Sequence, residues 1–361
     1  MSSGAEDGIV ATAAESRDLP LPPLVVLDHV ERFLDDNWLG TGPVQARRIG
    51  VRGGSNFTFL LERDTGQYVL RRPPRPPLPP SAHDVVREAR LQLALAKQGI
   101  RVPSIVAVCE DEDVIGAPFY VMEHLEGDVI TDALPAYLSD DPGTRRGLGL
   151  DLVDTLVEIH GADVSGPELA VFARPGNYAE RQVRRFSQLW PLNATRELPV
   201  LEIGERLAAA IPEPSQPRVV HGDYRLGNVM VGSGSSRVVA VLDWEMGAIG
   251  DPRADLDYLV ATYTEPGGAA DALGTSPVTA TPGFPSRAEL VARYEEGTGA
   301  RIGRLAWLEA LALWKAAVFC EAIYGRYIRG ELGEAPQAAR FEDAVPRLVQ
   351  AAAQAVGRDE R

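Results

Sequence analysis

The sequence predicts an α+β protein in two parts: a small antiparallel β-sheet with one main helix, followed by a larger and mostly helical part. Three observations support this fold class. Short apolar runs separated by turn residues fill the first third of the chain, apolar residues recur at helical spacing over most of the rest, and Gly127 marks the change. At 361 residues the chain is long enough for two lobes with a well-buried core.

The first part is predicted to alternate helices and short strands. In chain order the elements are a helix at 24–38, strands at 44–51, 56–62 and 68–71, a helix at 81–97, and strands at 104–110 and 119–123. The helices follow a 3.6-residue apolar period, and Ser81 is the expected cap of the second. Gly- and Asp-containing turns separate the first three strands, which predicts an antiparallel meander. Six prolines at 73–80 predict an extended connection before the second helix.

The second part is predicted to be helical except around one polar segment. Long helices are expected at 147–160, 178–190, 201–210, 287–296 and 305–327, with a further helix beginning near Asp255. Apolar runs at 219–220, 229–231 and 238–242 predict short strands beside the polar segment. We therefore divide the chain into a disordered leader at 1–20, a first lobe at 21–123 and a second lobe at 124–361.

Composition excludes several functional classes. A formal charge of −15 disfavours sequence-independent binding to nucleic acid or to an anionic membrane, since both need a positive surface. The acidic first residues resemble neither a secretory signal nor a transit peptide, and no run of eighteen apolar residues occurs. Cys109 and Cys320 lie far apart in apolar segments and are expected to be buried free thiols. A cytoplasmic enzyme acting on small molecules fits these features.

Two neighbouring segments predict phosphoryl transfer. HGDYRLGNVM at 221–230 and VLDWE at 241–245 place Asp223 and Asn228 on a loop and Asp243 at the end of a strand. Transfer of a phosphoryl group from ATP requires a carboxylate that accepts the proton of the attacking hydroxyl and two oxygen ligands for Mg²⁺. The alternative is a polar turn between two strands, whose Asp and Asn only cap backbone amides.

The order of elements is that of the two-lobed kinase plan, with the nucleotide expected between the lobes. In that plan the turn between the first two strands covers the phosphates with backbone N–H groups, and glycine lets the main chain approach. This turn contains Gly53, Gly54, Ser55 and Asn56. The residues expected to meet the adenine edge are Glu123, His124 and Leu125.

A cation at the end of the third strand should bind the phosphates and pair with a carboxylate on the following helix. Arg71 and Glu88 are the predicted pair, with Arg72 as the alternative if the strand register differs by one residue. No lysine is available for this role, because the chain has only Lys97 and Lys315.

The sequence resembles the aminoglycoside-phosphotransferase-like kinases, and especially the kinase-like domains fused to certain acyl-CoA dehydrogenases. The segments that carry this resemblance span about residues 25–330 and are GGSNFT, YVLRRPP, SAHDVVREARLQLAL, PFYVMEHLEG, NYAERQVRRF, HGDYRLGNVMV, VLDWEMGAIGDPRADLDYLV and YGRYIRG. The resemblance implies that Asp223 is the catalytic base and that Asn228 and Asp243 bind Mg²⁺. It also implies that Arg71 stands where many relatives carry lysine, while His221 and Asp255 are expected to be structural.

The expected acceptor is a hydroxylated small molecule, because the segment after Asp243 is too short for the activation segment of a protein kinase. The residues expected near this acceptor are Arg225, Glu245, Arg181 and Arg185. The arginines suit a hydroxy acid or a hydroxyacyl-CoA, as the dehydrogenase-fused relatives imply, although a solvated helix face is the alternative explanation for them. An aminoglycoside acceptor and a catalytically weak, nucleotide-binding pseudokinase remain alternatives.

Overall fold

The computed structural model describes residues 8–15, 19, 21–50, 56–76, 83–265, 276–302, 305–331 and 336–359. The chain divides into two compact units, Met1–Glu126 and Gly127–Arg361. An antiparallel sheet dominates the first unit and helices dominate the second, which confirms the predicted α+β class.

The first unit is built on a five-stranded antiparallel sheet. Its elements are β1 Ile9–Val10, β2 Val25–Val26, α1 Leu27–Asp36, β3 Gln45–Ile49, β4 Phe57–Arg63, β5 Gly66–Arg72, α2 Val85–Ala96, β6 Ile105–Cys109 and β7 Phe119–Glu123. The strand order in the sheet is β3-β4-β5-β7-β6. Apolar side chains from α1 and from the sheet, among them Leu34, Phe59 and Phe119, form one buried core.

The start of this unit differs from the prediction. Ile9 and Val10, within the predicted disordered leader, form β1, are buried, and pair in parallel with Val25 and Val26. The first helix therefore begins at Leu27 and not at residue 24. Val25 and Val26, which the prediction placed in the helix, form the strand β2 instead, as β-branched residues favour.

The main helix of the first unit, α2, begins at Val85. Its N-cap is Asp84, whose side chain accepts the backbone N–H of Arg87 at 2.9 Å. Ser81, the predicted cap, lies outside the described residues. Glu88 falls in the first turn of α2 and is buried, so a carboxylate is fixed beside the sheet.

The second unit contains nine α-helices and four short strands within its described residues. The helices are α3 Ala136–Ser139, α4 Pro142–His160, α5 Pro167–Ala170, α6 Tyr178–Asn193, α7 Val200–Ala209, α8 Arg253–Thr262, α9 Arg287–Thr298, α10 Leu305–Ile328 and α11 Phe341–Asp359. The strands are β8 Arg218–Val220, β9 Val229–Val231, β10 Val238–Val241 and β11 Ala248–Gly250. They pair antiparallel as β9 with β10 and β8 with β11.

Helix α11 was not predicted, although its apolar residues recur at helical spacing. Pro346 inside the helix argues against it, since proline cannot donate to the carbonyl four residues earlier. That carbonyl belongs to Glu342, and Arg196 donates to it at 2.6 Å. Packing of α11 against α10, through buried residues such as Val345 and Leu348, stabilises the helix despite the proline.

Both cysteines are buried free thiols, as predicted: Cys109 lies in the first unit and Cys320 in the second. Of the helices in the described part of the chain, none has an apolar stretch long enough to cross a membrane.

Candidate active site

The loop between β8 and β9 is held from inside the second unit by α8. Gly222 has a φ of +87°, and a Cβ at this position would lie 2.9 Å from the Cβ of Met246, so the position requires glycine. The buried carboxylate of Asp255 accepts the backbone N–H groups of His221 at 2.6 Å and of Gly222 at 2.7 Å. Asp255 therefore braces the loop, in agreement with the structural role expected for it.

His221 connects this loop to the segment that contains Asp243. Its Nδ1 accepts the backbone N–H of Asp223 at 3.2 Å, so Nε2 carries the proton and donates to the carbonyl of Leu242 at 2.8 Å. The ring is fully buried against Trp244, with ring centres 4.7 Å apart. His221 is thus a structural hydrogen-bonding residue in this fold.

Asp223 occupies a polar and partly exposed position. Asn228 Nδ2 donates to Oδ2 of Asp223 at 2.7 Å and to its backbone carbonyl at 2.9 Å. Nε of Arg225 lies 3.7 Å from Oδ1 of Asp223. The Asp223 side chain is 32% exposed, so a small molecule can reach its carboxylate. Neighbouring side chains orient the carboxylate at the same time.

Tyr258 on α8 is a further neighbour of Asp223. Burial, the negative charge of Asp223 and a hydrogen bond to that carboxylate raise the pKa of Tyr258 well above its usual value of 10.0. The phenol therefore stays protonated beside this carboxylate.

Asn228 and Asp243 lie on adjoining backbone segments. The backbone N–H of Leu242 donates to the carbonyl of Asn228 at 2.8 Å, which aligns the end of the loop with the residue before Asp243. Asp243 has a φ of +63°, a conformation that is uncommon for a residue other than glycine and is often found at functional sites.

The donor chemistry of these two residues fits Mg²⁺. Magnesium is usually held by one or two protein oxygens, with phosphates and water completing its shell. Among the described residues, no group of three or more His, Cys, Asp and Glu side chains could hold a metal ion by itself. The amide oxygen of Asn228 and the carboxylate of Asp243 suit a magnesium ion whose other ligands are phosphate oxygens and water.

In the first unit, the predicted pair of Arg71 and Glu88 is present. Nε of Arg71 lies 3.2 Å from Oε2 of Glu88, and Tyr120 donates its hydroxyl proton to Oε1 at 3.2 Å. Both charged side chains are largely buried, with 11% exposure for Arg71 and 2% for Glu88. Arg72, the alternative cation, is instead buried and donates to backbone carbonyls, including that of Leu24 at 2.6 Å.

The remaining predicted nucleotide residues fall in three places. Gly53, Gly54 and Ser55 lie outside the described residues. Asn56 is buried, and its Oδ1 contacts Nδ1 of His83 at 3.1 Å. Glu123 ends β7 with an exposed side chain, and the residues that follow it, His124 and Leu125, are partly buried.

The residues predicted near the acceptor have different surroundings. Arg225 lies beside Asp223, and Glu245 is partly buried in the turn after Asp243. Arg181 donates to three backbone carbonyls at 174–176, so its guanidinium fixes the start of α6. Arg185 is exposed on the same helix.

Sequence reasoning did not select Tyr258 as a site residue. This residue gave no signal, because a tyrosine in an apolar helix is usually a packing residue.

Comparison with known proteins places these residues in a wider context. The sequence matches the model of the phosphotransferase enzyme family, APH, over residues 47–308. It is 35% identical over 313 residues to acyl-CoA dehydrogenase family member 11 of Gallus gallus, and the alignment covers 83% of this chain and 40% of that protein. The chain spans about two fifths of the length of the first curated relatives it matches.

Solved structures share the fold, and two of them are phosphotransferases described as follows. A candidate aminoglycoside phosphotransferase from Ralstonia eutropha gives a TM-score of 0.74 with 27% identity, over 92% of this chain and 98% of that one. A thermostable mutant of an aminoglycoside phosphotransferase, solved with ADP and hygromycin B, gives a TM-score of 0.56 with 18% identity, over 89% of this chain and 98% of that one.

Proposed function

The chain belongs to the phosphotransferase enzyme family, as its motifs predict, and from this premise we propose that it moves the γ-phosphoryl group of ATP to a hydroxyl group of a small molecule. The arrangement around Asp223 supports this most directly. A carboxylate oriented by Asn228 and Tyr258, yet partly exposed, has the surroundings of a general base and not those of a helix or turn cap.

Asp223 is the proposed base. Its carboxylate receives the proton of the acceptor hydroxyl while the hydroxyl oxygen attacks the γ-phosphorus, and the bond from that phosphorus to the bridging oxygen of ADP breaks, so that ADP leaves. Asn228 and Tyr258 keep the carboxylate in one orientation, so little reorganisation accompanies the proton transfer. Asn228 and Asp243 are the proposed holders of Mg²⁺, which when bound supplies positive charge to the phosphate oxygens.

The nucleotide is proposed to bind through the first unit. Arg71 offers five N–H donors in a planar fork, so it can contact a phosphate while it stays paired with Glu88. The turn of Gly53, Gly54, Ser55 and Asn56 is the proposed phosphate cover, and the backbone of Glu123, His124 and Leu125 the proposed adenine contact. The ADP bound to a related phosphotransferase supports the choice of nucleotide.

The acceptor is proposed to be a hydroxy acid or a hydroxyacyl-CoA. Arg225 beside Asp223 places a positive charge where an acceptor would approach the base, and Arg185 and Glu245 are further proposed contacts. The relationship to acyl-CoA dehydrogenase family member 11 agrees with an acyl acceptor. An aminoglycoside is the second candidate, because the solved structure with a TM-score of 0.74 is that of a candidate aminoglycoside phosphotransferase.

Replacement of Asp223 by asparagine tests this function. We expect Asp223→Asn to lower kcat/KM about a thousandfold while nucleotide binding and thermal stability change little. The measurement is Mg²⁺-dependent ADP release with hydroxy acids, hydroxyacyl-CoAs and aminoglycosides as acceptors. Asp132→Asn, an exposed aspartate of the same unit, is the matched control and should retain full activity. Nucleotide binding without turnover of any acceptor by the unmodified protein would point instead to a pseudokinase.

A further inference from the structure

A second cavity lies within the second unit, where the ends of α4 and α9 meet the start of β8. Its volume is about 520 Å³, which is in the range of sites that bind small molecules. The last residues of both helices and the segment leading into β8 form its walls. Asp223, Asn228 and Asp243 are not among the residues that line it, so this cavity is separate from the candidate active site.

The charges at this cavity favour a negatively charged ligand. Arg218 contributes a guanidinium, and no aspartate or glutamate is found among the described residues of the lining. This absence is informative, because the chain has 51 acidic residues and only 36 basic ones. Asp251 lies next to the cavity and accepts the hydroxyl of Ser215 at 2.8 Å, but its carboxylate is already paired with Arg253 at 2.9 Å.

The same lining suits a carboxylate with a short carbon chain. Within the described part of the protein, Arg218 makes one hydrogen bond, a long one of 3.3 Å to Gln216, so most of the five donors of its guanidinium can serve a ligand. Val157 and Pro252 give the cavity apolar walls. A planar guanidinium matches a carboxylate, and the apolar walls match a short hydrocarbon body.

Two residues of the cavity wall begin a chain of hydrogen bonds that ends at the loop of Asp223. The side chains of His160 and Tyr294 are both buried, and the hydroxyl of Tyr294 lies 2.7 Å from Nδ1 of His160. Nε2 of His160 lies 3.3 Å from Oδ2 of Asp255. Because a carboxylate only accepts, Nε2 carries the proton and Tyr294 donates to Nδ1. Asp255 in turn accepts the backbone N–H groups of His221 and Gly222.

We propose that this cavity binds a small organic carboxylate through Arg218, and that the bound acid acts on the loop of Asp223 through Tyr294, His160 and Asp255. The binding site itself is independent of the proposed function, and only its effect on turnover rests on that function. A ligand packed against Tyr294 and His160 favours one arrangement of these side chains, and thereby one position of the carboxylate that braces the loop.

Ring ¹⁵N NMR of the histidines can follow the cavity and the loop at the same time. The chain has five histidines, and three of them, His29, His83 and His124, belong to the first unit. Replacement of these three by glutamine identifies the signals of His160, at the cavity, and of His221, in the loop. His160→Gln then distinguishes these two. With the signals assigned, the titrations use the unmodified protein.

The probe is sodium butyrate, a carboxylate that has no hydroxyl group and so cannot accept a phosphoryl group. We expect butyrate to shift the ring signals of both His160 and His221, whereas sodium chloride at the same ionic strength should shift neither. Uncharged butyramide, and inorganic phosphate, which lacks an apolar body, should each bind at least about tenfold more weakly than butyrate. Equal or tighter binding of either compound would contradict the assignment of a carboxylate site.

A matched pair of arginine variants tests the contact that holds the acid. Arg218→Met keeps the aliphatic stem and should weaken butyrate binding at least about tenfold, because a charge-assisted hydrogen bond is lost. Arg347→Met, on the exposed side of α11, is the control and should bind butyrate as the unmodified protein does. Absence of a His160 response to butyrate, or equal affinity in Arg218→Met, would overturn the binding site.

Tyr294→Phe separates binding from transmission to the loop. This variant retains Arg218 but lacks the hydroxyl that donates to His160, so butyrate should still shift the His160 signals and should no longer shift those of His221. A His221 response of full size in Tyr294→Phe, or none in the unmodified protein, would overturn the link to the loop. Because these titrations need no turnover, their result does not depend on whether Asp223 is the catalytic base.

Discussion

At the scale of single residues, the candidate site depends on groups that orient Asp223. Asn228 was expected near Asp223 as a Mg²⁺ ligand, and the structure shows that it also donates to the carboxylate. Tyr258 comes from a helix more than thirty residues further along the chain. Its phenol stays protonated because burial and the neighbouring carboxylate both oppose loss of the proton. Tyr258 is thus a positioning residue for the proposed base.

Tyr258→Phe removes the phenol hydroxyl that interacts with Asp223 and little else. We expect kcat to fall about tenfold, with KM for ATP unchanged, because a less well oriented carboxylate is a poorer proton acceptor. Tyr137→Phe is the matched control: it also removes a hydrogen bond from a tyrosine to an aspartate, Asp128 at 3.0 Å, but not one at Asp223. Equal losses of kcat in the two variants would argue against a specific role for Tyr258.

At the scale of secondary-structure elements, α8 connects the core of the second unit to the candidate site. Helix α8 carries both Asp255, which braces the loop, and Tyr258, which contacts the base. Helix α10 packs against α11. Helix α11 contains Pro346, which leaves the carbonyl of Glu342 without a helical donor. Arg196 donates to that carbonyl. Arg196 also pairs with the buried Glu321 at 3.2 Å.

A double-mutant cycle can measure this compensation. We expect Arg196→Met to lower the free energy of unfolding by about 2 kcal/mol, because Glu321 and the Glu342 carbonyl both lose a donor. Pro346→Ala restores the helical N–H, so the same arginine replacement should be less destabilising in that background, by about 1 kcal/mol. Urea unfolding of the four proteins provides the values, and strict additivity would exclude the coupling.

At the scale of the whole molecule, the proposed machinery is divided between the two units. The first contains the pair of Arg71 and Glu88, and the second contains Asp223, Asn228 and Asp243. Each set is built from contacts within its own unit, so each can be altered separately. Loss of nucleotide binding and loss of chemistry are therefore expected from different variants.

Nucleotide binding should raise the thermal stability of the intact chain. Mg·ATP at about a hundred times its Kd is expected to add about 2.7 kcal/mol to the free energy of unfolding, seen as a higher Tm. Arg71→Ala should lose most of this increase and Arg71→Lys should keep part of it, because a lysine still contacts phosphate. Arg47→Ala on β3 is the exposed control. An unchanged shift in Arg71→Ala would remove Arg71 from the nucleotide site.

Much of this protein follows from local sequence signals. Apolar periodicity predicted the sheet, most helices and the two-part α+β class, because binary patterning reflects which face of each element is buried. The spacing of Asp223, Asn228 and Asp243 predicted phosphoryl transfer, since these residues lie within one short stretch of chain. The resemblance of eight segments to the aminoglycoside-phosphotransferase-like kinases indicated the family, and the match to the family model confirms it. The pairing of Arg71 with Glu88 also followed, because strand end and helix start are consecutive elements.

Other features depend on contacts between distant parts of the chain. The pairing of β1 with β2, the support of α11 by Arg196 and the approach of Tyr258 to Asp223 join residues whose proximity no local pattern specifies. The sequence by itself determined the fold class and the set of chemical groups. Tertiary structure decided which of those groups meet, because burial and hydrogen bonding between separate elements select one arrangement among many that the same periodicity allows.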